Sequence, residues 1–399
     1  MGSFARHRIF ALRGTFHPGY GREGFLKNAD LIFVGAGLAN SLLAYRLKQK
    51  NPSLEILLLE AAAGPRADRT WSFYESDVSP EIWAWLSPLA EKIWPGYDVK
   101  FPKLSRGLDK ARYASLRGET LLEKAGLLKL VSWNTEVSSV EPGGVTLASG
   151  EKLVALGVVD GRGQGAARPG AEGYQKFFGL QVRLKAPHGI TRPVVMDATV
   201  PQDGGYRFFY LLPWDERRLL VEDTYYANDP SLDRLKLKAG VEAYIKKQGW
   251  EIEAIEGEEA SALPIPYFPP SGHPGSAEIG VAAGLFHPVT GYSVPYAAAV
   301  AERWDPLAPD AVMQLLRLRA DLSKRHSFYY LLNRMLFLAA DAGGRRQIFE
   351  KFYGLPEGLA QRFYAGRSSL VDQALILSGR PPVAIAPAIR AMFQKEKAL

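Results

Sequence analysis

The sequence predicts an α/β chain in three parts: a parallel sheet built around a glycine-rich turn, then an antiparallel sheet, then helices to the C-terminus. Three observations carry this. Asp30–Val34 is a short apolar run that ends in Gly35-Ala36-Gly37 and opens an amphipathic stretch from Leu38 to Lys50. From residue 176 to 226 the apolar period switches to two. Beyond about residue 309 almost every segment has helical spacing, broken at Gly343-Gly344, Gly354-Leu355-Pro356 and Gly379-Arg380-Pro381-Pro382.

In the first part, Leu38, Leu42, Leu43, Tyr45 and Leu47 are apolar at helical spacing, whereas Arg46, Lys48 and Lys50 are polar. Asn51-Pro52-Ser53 stops the helix, and Glu55–Leu59 reads as the next buried strand with Glu60 at its carboxyl end. Gly35, Ala36, Gly37, Leu38, Ala39 and Asn40 form the turn. Gly35 permits the tight bend, and Gly37 lets the backbone approach a pyrophosphate lying at the helix amino end. Asn40 stands where the full fingerprint has a third glycine, so the helix and strand must pack differently there. Glu60 lies 25 residues after Gly35, close to the spacing expected of a carboxylate that binds ribose. The competing reading is an ordinary βα turn with a surface glutamate.

The glycine pattern does not separate nicotinamide from flavin cofactors, but position does. The motif opens the folded chain, and a second glycine-rich segment runs from Gly280 through Gly284, Leu285, Phe286, His287, Thr290 and Gly291 to Ser293. A flavin is long and needs a second loop and helix start near its ring. An apolar helix from Pro295 supplies that, so FAD is the expected cofactor in a Rossmann-type domain.

Composition narrows the remaining classes. The chain has 399 residues, 47% hydrophobic and 23% charged, as in ordinary globular proteins. There is no cysteine, which excludes disulfides, thiolate nucleophiles and iron–sulfur clusters. Six histidines occur, none paired at helical ligand spacing, so no metal is expected. The net charge is +7, without a basic stripe interleaved with aromatics, so nucleic acid is not an expected partner. No run of 18 apolar residues exists, so no spanning helix is predicted. Residues 1–26 read as a basic, disordered extension.

In the middle of the chain, residues 193–200, 206–213 and 217–226 read as strands joined by Asp203-Gly204-Gly205 and Trp214-Asp215-Glu216. A helix around Leu235–Gln248 follows. Residues 136–160 alternate like a small sheet and end in Asp160-Gly161-Arg162-Gly163.

Together these segments resemble the bacterial lycopene β-cyclases of the flavoprotein superfamily. The resemblance spans residues 30–390 and rests on several motifs. They include the Asp30–Asn40 run, Thr70-Trp71-Ser72-Phe73, Met196-Asp197-Ala198-Thr199-Val200, Gly205-Tyr206-Arg207-Phe208, Glu222-Asp223-Thr224, Leu285–Ser293 and Asn333-Arg334-Met335-Leu336-Phe337. Flavin hydroxylases of similar fold carry a Gly-Asp pair in the second flavin segment. Here Ala282-Ala283-Gly284 has no aspartate, which favours the cyclase branch.

The resemblance implies a Rossmann-type FAD domain of the hydroxylase or glutathione-reductase kind at 27–165 and 278–305. An antiparallel substrate domain at 166–277 and a helical region at 306–399 complete it. It implies proton-initiated, non-redox closure of the linear ψ ends of lycopene and related carotenoids, with FAD in its reduced form and NAD(P)H as reductant. Such chemistry needs a carboxyl kept protonated by burial and aromatic faces to stabilise a cation. Strand alternation puts Glu222 and Thr224 on one face and Asp223 on the other, and the resemblance selects Glu222 as the acid. Asp197 and Arg207 accompany it, either in the catalytic set or as a structural ion pair. Tyr206, Phe208, Tyr210 and Phe286 are the expected pocket aromatics. Asp160, Gly161, Gly284, His287, Thr290 and Gly291 join Glu60 and the glycine turn at the cofactor, though His287 equally reads as a brace. Arg162 and Arg112 read as phosphate partners or loop braces. Competing functions are a flavin monooxygenase or isoprenoid reductase and, in another class, a non-catalytic flavin or carotenoid carrier. Lycopene resides in bilayers, so a cytoplasmic, peripheral attachment to the membrane surface is expected. Ser327–Ala340 is a candidate for that contact or for a core helix.

Overall fold

The computed structural model describes residues 29–163, 172–269, 277–378 and 385–393. The expected basic extension at 1–26 lies outside them.

Strand Ala29–Val34 is the centre of a six-stranded sheet. It pairs in parallel with Ile56–Leu59 on one side and with Lys152–Asp160 on the other. The register aligns Val34 with both Leu59 and Asp160. Three strands therefore end side by side, and the chain crosses away on both sides of the first. That is the switch-point crevice where open α/β sheets bind ligands. Leu31, Ile32 and Phe33 are fully buried, as a strand covered on both faces requires. A hairpin, Val137–Glu141 and Gly144–Leu147, extends the sheet in antiparallel fashion.

The second glycine-rich segment reaches this crevice through backbone pairing. Asp160 N–H donates to Ala277 O at 3.0 Å, and Ile279 N–H donates to Asp160 O at 2.9 Å. Helix Val294–Arg303 then packs beside helix Leu38–Lys50, joined by an Arg46–Glu302 ion pair at 2.8 Å.

The substrate sheet has seven strands, in the order 252–266, 172–184, 218–227, 206–213, 194–197, 97–101 and 104–108. It is antiparallel except for the parallel contact between Val194–Asp197 and Tyr97–Phe101. Two of its strands thus come from the tryptophan- and proline-rich stretch before residue 135, not from 166–277. One face packs on helix Arg234–Lys247 through Phe178, Leu180, Phe209, Leu211, Leu219, Val221 and Val241. The other faces the nucleotide-binding unit and, at one end, an aromatic core shared with the C-terminal helices. A small third sheet, Thr70–Tyr74, Tyr113–Arg117 and Lys92–Trp94, lies between the two large ones.

Candidate active site

At the switch point, Gly35 adopts φ +89°, a left-handed conformation open to glycine. Its N–H donates to Leu59 O at 2.7 Å. Glu60 Oε2 accepts from Ala36 N–H at 2.8 Å, and Oε1 accepts from Ala62 N–H at 3.0 Å. The carboxylate is thereby held at the rim of a cavity of about 480 Å³ lined by Gly35, Ala36, Gly37, Glu60, Arg66 and Gly161, among others. A second cavity of about 420 Å³ shares Gly37, Arg69, Trp71, Gly161, Arg162 and Gly163 with the first. It continues past Leu38 and Ala39 to Thr290, Gly291, Tyr292 and Ser293. A Cβ added to Gly37 would meet nothing within 4 Å, so its backbone borders open space at the helix start. Two joined cavities, a ribose-type carboxylate in one and an N–H-rich cradle between them fit an extended dinucleotide such as FAD.

Asn40 faces away from this space. Its Nδ2 donates to Val34 O at 2.9 Å and to Gly35 O at 2.6 Å, and its side chain is buried. A Cβ on Gly161 would meet the Asn40 amide at 2.6–2.7 Å. The close contact normally made by a third glycine has moved to Gly161, and Asn40 occupies the room.

The floor of the second cavity is the substrate sheet. Tyr210 pairs with Glu222, Glu222 with Gly179, and Gly179 with Glu259. The next row is Phe208, Thr224, Phe177 and Ser261. Tyr210, Glu222, Glu259, Phe177 and Ser261 line the cavity. Thr224 Oγ1 donates to Glu222 Oε1 at 2.7 Å, which orients the carboxyl and leaves Oε2 without a hydrogen bond among the described residues. Protein surrounds Glu222 except toward the cavity. Burial, reinforced by the charge of Glu259, raises its pKa well above the ordinary carboxyl range. Burial likewise raises Glu259, against the opposing pull of Arg117 and Arg69. The cavity therefore favours the protonated form of Glu222.

Tyr113 OH bonds Tyr210 OH, and it lies 3.0 Å from Tyr292 OH. Tyr74 stacks on Tyr292 with centroids 5.9 Å apart and touches Tyr364 at 4.7 Å. Tyr210 and Tyr292 line the Glu222 cavity, so aromatic groups border the space above the acid. Burial pushes the Tyr113 and Tyr292 hydroxyls upward, so they remain protonated.

The other sequence-selected residues fall into place around this centre, several at a distance from it. Asp197 and Arg207 do not pair with each other and do not share a face with Glu222. Asp197 accepts from Tyr244 OH at 2.8 Å and Thr199 Oγ1 at 2.5 Å. Arg207 forms a two-pronged bond to Asp223 at 2.8 and 2.7 Å. Both sit on the helix-packed side of the sheet, because odd and even positions of a strand point oppositely. Tyr206 and Phe208 belong to the aromatic core behind Tyr210, with Tyr206 stacked on Phe349 at 4.7 Å. Phe286 is buried and absent from the cavity lining. His287 accepts at Nδ1 from Val289 and Thr290 N–H, each at 3.3 Å, and donates through Nε2 to Phe363 O at 2.9 Å. Burial drops its pKa to about 3, so it is a neutral brace that shapes the Thr290–Gly291 turn. Gly284, at φ +72°, turns the same segment. Asp160 pairs with Arg162 at 2.7 Å. Arg112 is half-exposed and pairs with Glu75 at 2.6 Å.

Sequence reasoning missed Glu259. Its strand, Ile252–Pro266, carries glutamates at 253, 256, 258 and 259, which reads as a solvated edge. One-to-one pairing with Gly179 turns Glu259 inward, while two register shifts further along leave Glu256 and Glu253 out of the pairing. Arg69, Trp71 and Tyr292 also line the cavity without having been assigned to it; Trp71 and Tyr292 lie in the Thr70–Phe73 and Leu285–Ser293 motifs, whereas Arg69 lies in none.

Comparison with known proteins adds independent findings. Residues 30–390 match the family model described as lycopene cyclase protein. A lycopene beta-cyclase of Pseudescherichia vulneris is 46% identical over 373 residues, covering 91% of this chain and 96% of that protein. A lycopene beta-cyclase of Paracoccus sp. (strain N81106 / MBIC 01143) is 40% identical over 380 residues, covering 92% and 97%. Among solved structures, a geranylgeranyl bacteriochlorophyll reductase-like protein from Thermoplasma acidophilum superposes with TM-score 0.54 at 15% identity, covering 92% of this chain and 96% of that one. A flavin-dependent brominase superposes with TM-score 0.52 at 16% identity, covering 85% and 94%. At these identities the structural likeness speaks to fold.

Proposed function

The chain belongs to the lycopene cyclase protein family, and from that premise we propose that it closes the linear ψ ends of lycopene into β rings in the cavity at Glu222. The carrying observation is a carboxyl kept protonated by burial, aimed into a cavity that joins a dinucleotide cleft. Glu222 donates its proton to the terminal alkene, the neighbouring alkene closes on the resulting cation, and a different proton leaves to give the ring double bond. No electrons are gained or lost. Thr224 fixes the donor oxygen's direction. Tyr210 and Tyr292 turn aromatic surface toward the cation and exclude the water that would quench it. Gly37, Glu60, Gly161, Thr290 and Gly291 are the residues that would hold FAD. Bound in its reduced form, FAD would supply an electron-rich ring system, and NAD(P)H is the reductant we favour.

Access for an insoluble chain follows from a third, apolar cavity of about 120 Å³ that shares Thr290 with the Glu222 cavity. Leu332, Met335 and Leu336 line it from helix Ser327–Ala339, and Ile376 and Leu377 line it from helix Leu370–Leu377. The first of these helices is largely buried, with Phe328, Tyr329, Tyr330, Asn333 and Phe337 inside. Apolar exposure lies on the second, where Leu370 is 81% and Val371 69% exposed, and on Phe393 at 77%. Among the described residues no helix is long and apolar enough to cross a membrane. We therefore place the bilayer contact at Leu370–Leu377, with the apolar cavity as the way in.

The decisive experiment feeds lycopene to the anaerobically reduced, FAD-loaded protein and its Glu222→Gln variant, with products resolved by chromatography. Wild type is expected to yield β-carotene without net NAD(P)H consumption. The variant should bind FAD and lose roughly 10²–10⁴-fold in rate, the usual worth of a general acid. Full activity in folded Glu222→Gln refutes the assignment. Oxidation of NAD(P)H in proportion to product points to a monooxygenase or reductase, and pigment bound unchanged by wild type points to a carrier.

A further inference from the structure

We propose that Glu259 is the positioning partner of Glu222, the two carboxyls forming a pair across Gly179 that holds one proton between them. This rests on Glu222 being the acid. The geometry is a row on the cavity floor. Gly179 stands directly between the two glutamates in the strand pairing. A Cβ built on it would lie 3.0 Å from Leu220 Cδ1, 3.2 Å from Glu259 Cγ and 3.4 Å from Glu222 Cβ. Both glutamate side chains therefore come into van der Waals range of one point, in space that exists because residue 179 has no side chain. Both line the same cavity. Glu259 is 2% exposed, and its Oε1 makes no hydrogen bond among the described residues. A buried acceptor left open in this way is costly unless a proton or a substrate group meets it.

The surroundings separate the two roles. Glu222 faces Thr224 on its own strand, Tyr210 on the next and Gly179 on the other side, with Asp223 directed to the opposite face. Glu259 faces Thr70, with Asp68, Arg69 and Arg117 nearby. The cations sit on the Glu259 side and favour charge there, and a charge on Glu259 keeps the proton on Glu222. When Glu222 gives its proton to the alkene, the pair carries two adjacent negative charges in a buried cavity. Such a pair recaptures a proton readily, and the ring supplies one when its double bond forms. The proton count closes over the cycle, and the pair is reset without a group from solvent.

The test is the pH profile of cyclisation in Glu259→Gln, which keeps the volume and removes the charge. Activity requires protonated Glu222, so it falls as pH rises through the pKa of that group. Removing the neighbouring charge lowers that pKa, and the alkaline limb should move to lower pH by roughly one to two pH units. Glu259→Asp keeps the charge and should keep the limb. Gly179→Ala inserts a methyl group between the pair and should move the limb the same way by less, which decides the matter if Glu259→Gln fails to fold. An activity-independent reading is infrared titration of the protonated-carboxyl band, recorded in an Asp77→Asn background because Asp77 is another buried carboxyl with a pKa of about 7. The midpoint of the band should fall in Glu259→Gln. A uniform loss of activity with an unmoved limb and an unmoved band overturns the pairing. Retained activity in Glu222→Gln overturns the acid assignment, while the infrared titration still reads the pair.

Discussion

If Asn40 has exchanged places with the usual third glycine, Asn40 and Gly161 must be energetically coupled. Asn40→Ala deletes the hydrogen bonds to Val34 O and Gly35 O at 2.9 and 2.6 Å. At about 0.5–1.5 kcal/mol net each, that is roughly 1–3 kcal/mol. Val34 O keeps the N–H of Gly161 at 2.9 Å, which limits the penalty. Gly161→Ala drives a methyl into the Asn40 amide at 2.6–2.7 Å, and overpacking of this kind costs about 1–3 kcal/mol. Gly161 is not among the glycines with positive φ, so that cost is packing and not backbone strain. In the double variant the amide is gone, and the new methyl occupies its place. The combined loss should fall short of the sum of the single losses by about 1–2 kcal/mol. Urea denaturation at fixed FAD concentration measures this, with flavin fluorescence titration reporting cofactor affinity. Single losses that add within about 0.5 kcal/mol, or a Gly161→Ala variant as stable as wild type, would refute the exchange.

Three further outcomes are expected. Burial raises Asp77 from 3.8 to about 7, so the folded state holds a proton that the unfolded chain has already lost. Its contribution is complete below the ordinary carboxyl range and disappears as pH rises through 7. Asp77→Asn should match wild type near pH 4 and exceed it at pH 8 by a few kcal/mol at most, at roughly 1.4 kcal/mol for each tenfold change in proton affinity; equal denaturation midpoints at pH 8 would contradict this. Arg207→Leu strands Asp223, which is fully buried, and should cost about 3–5 kcal/mol at pH 8. The loss shrinks at acid pH as Asp223 protonates, and a loss under about 1 kcal/mol at pH 8 would show that the pair is solvated. Leu370→Asp with Val371→Asp should abolish flotation on lycopene-loaded liposomes while shifting stability by no more than about 0.5 kcal/mol per site; unchanged flotation would place the membrane contact elsewhere.

The nucleotide-binding unit was legible because its information is local. A positive φ at Gly35, an apolar run before it, a helix after it and a carboxylate at the next strand end all lie within about thirty residues. Period-two alternation likewise separated Glu222 from Asp223, since adjacent strand residues must face opposite ways. The same rule placed Arg207 away from Glu222 once the pairing of residues 206–213 with 218–227 was known, and Asp223 took the partner first expected of Asp197.

The sequence by itself thus determined the glycine turn, the order of the parts, the kinship to lycopene cyclases, which selects Glu222, and the opposite facing of Glu222 and Asp223. Each of these is written in residue type and short spacing. Tertiary structure alone decided what surrounds Glu222. Gly179, Glu259, Tyr292 and Thr70 lie far apart in the chain and meet through strand register and sheet packing. Residues 257–266 pair one-to-one with 181–172, which sets Glu259 opposite Gly179, and a one-residue slip in that pairing would turn Glu259 to the other face. The acid could be read in sequence, and its proton-sharing neighbour could not, because one needs a strand and the other needs three strands in register.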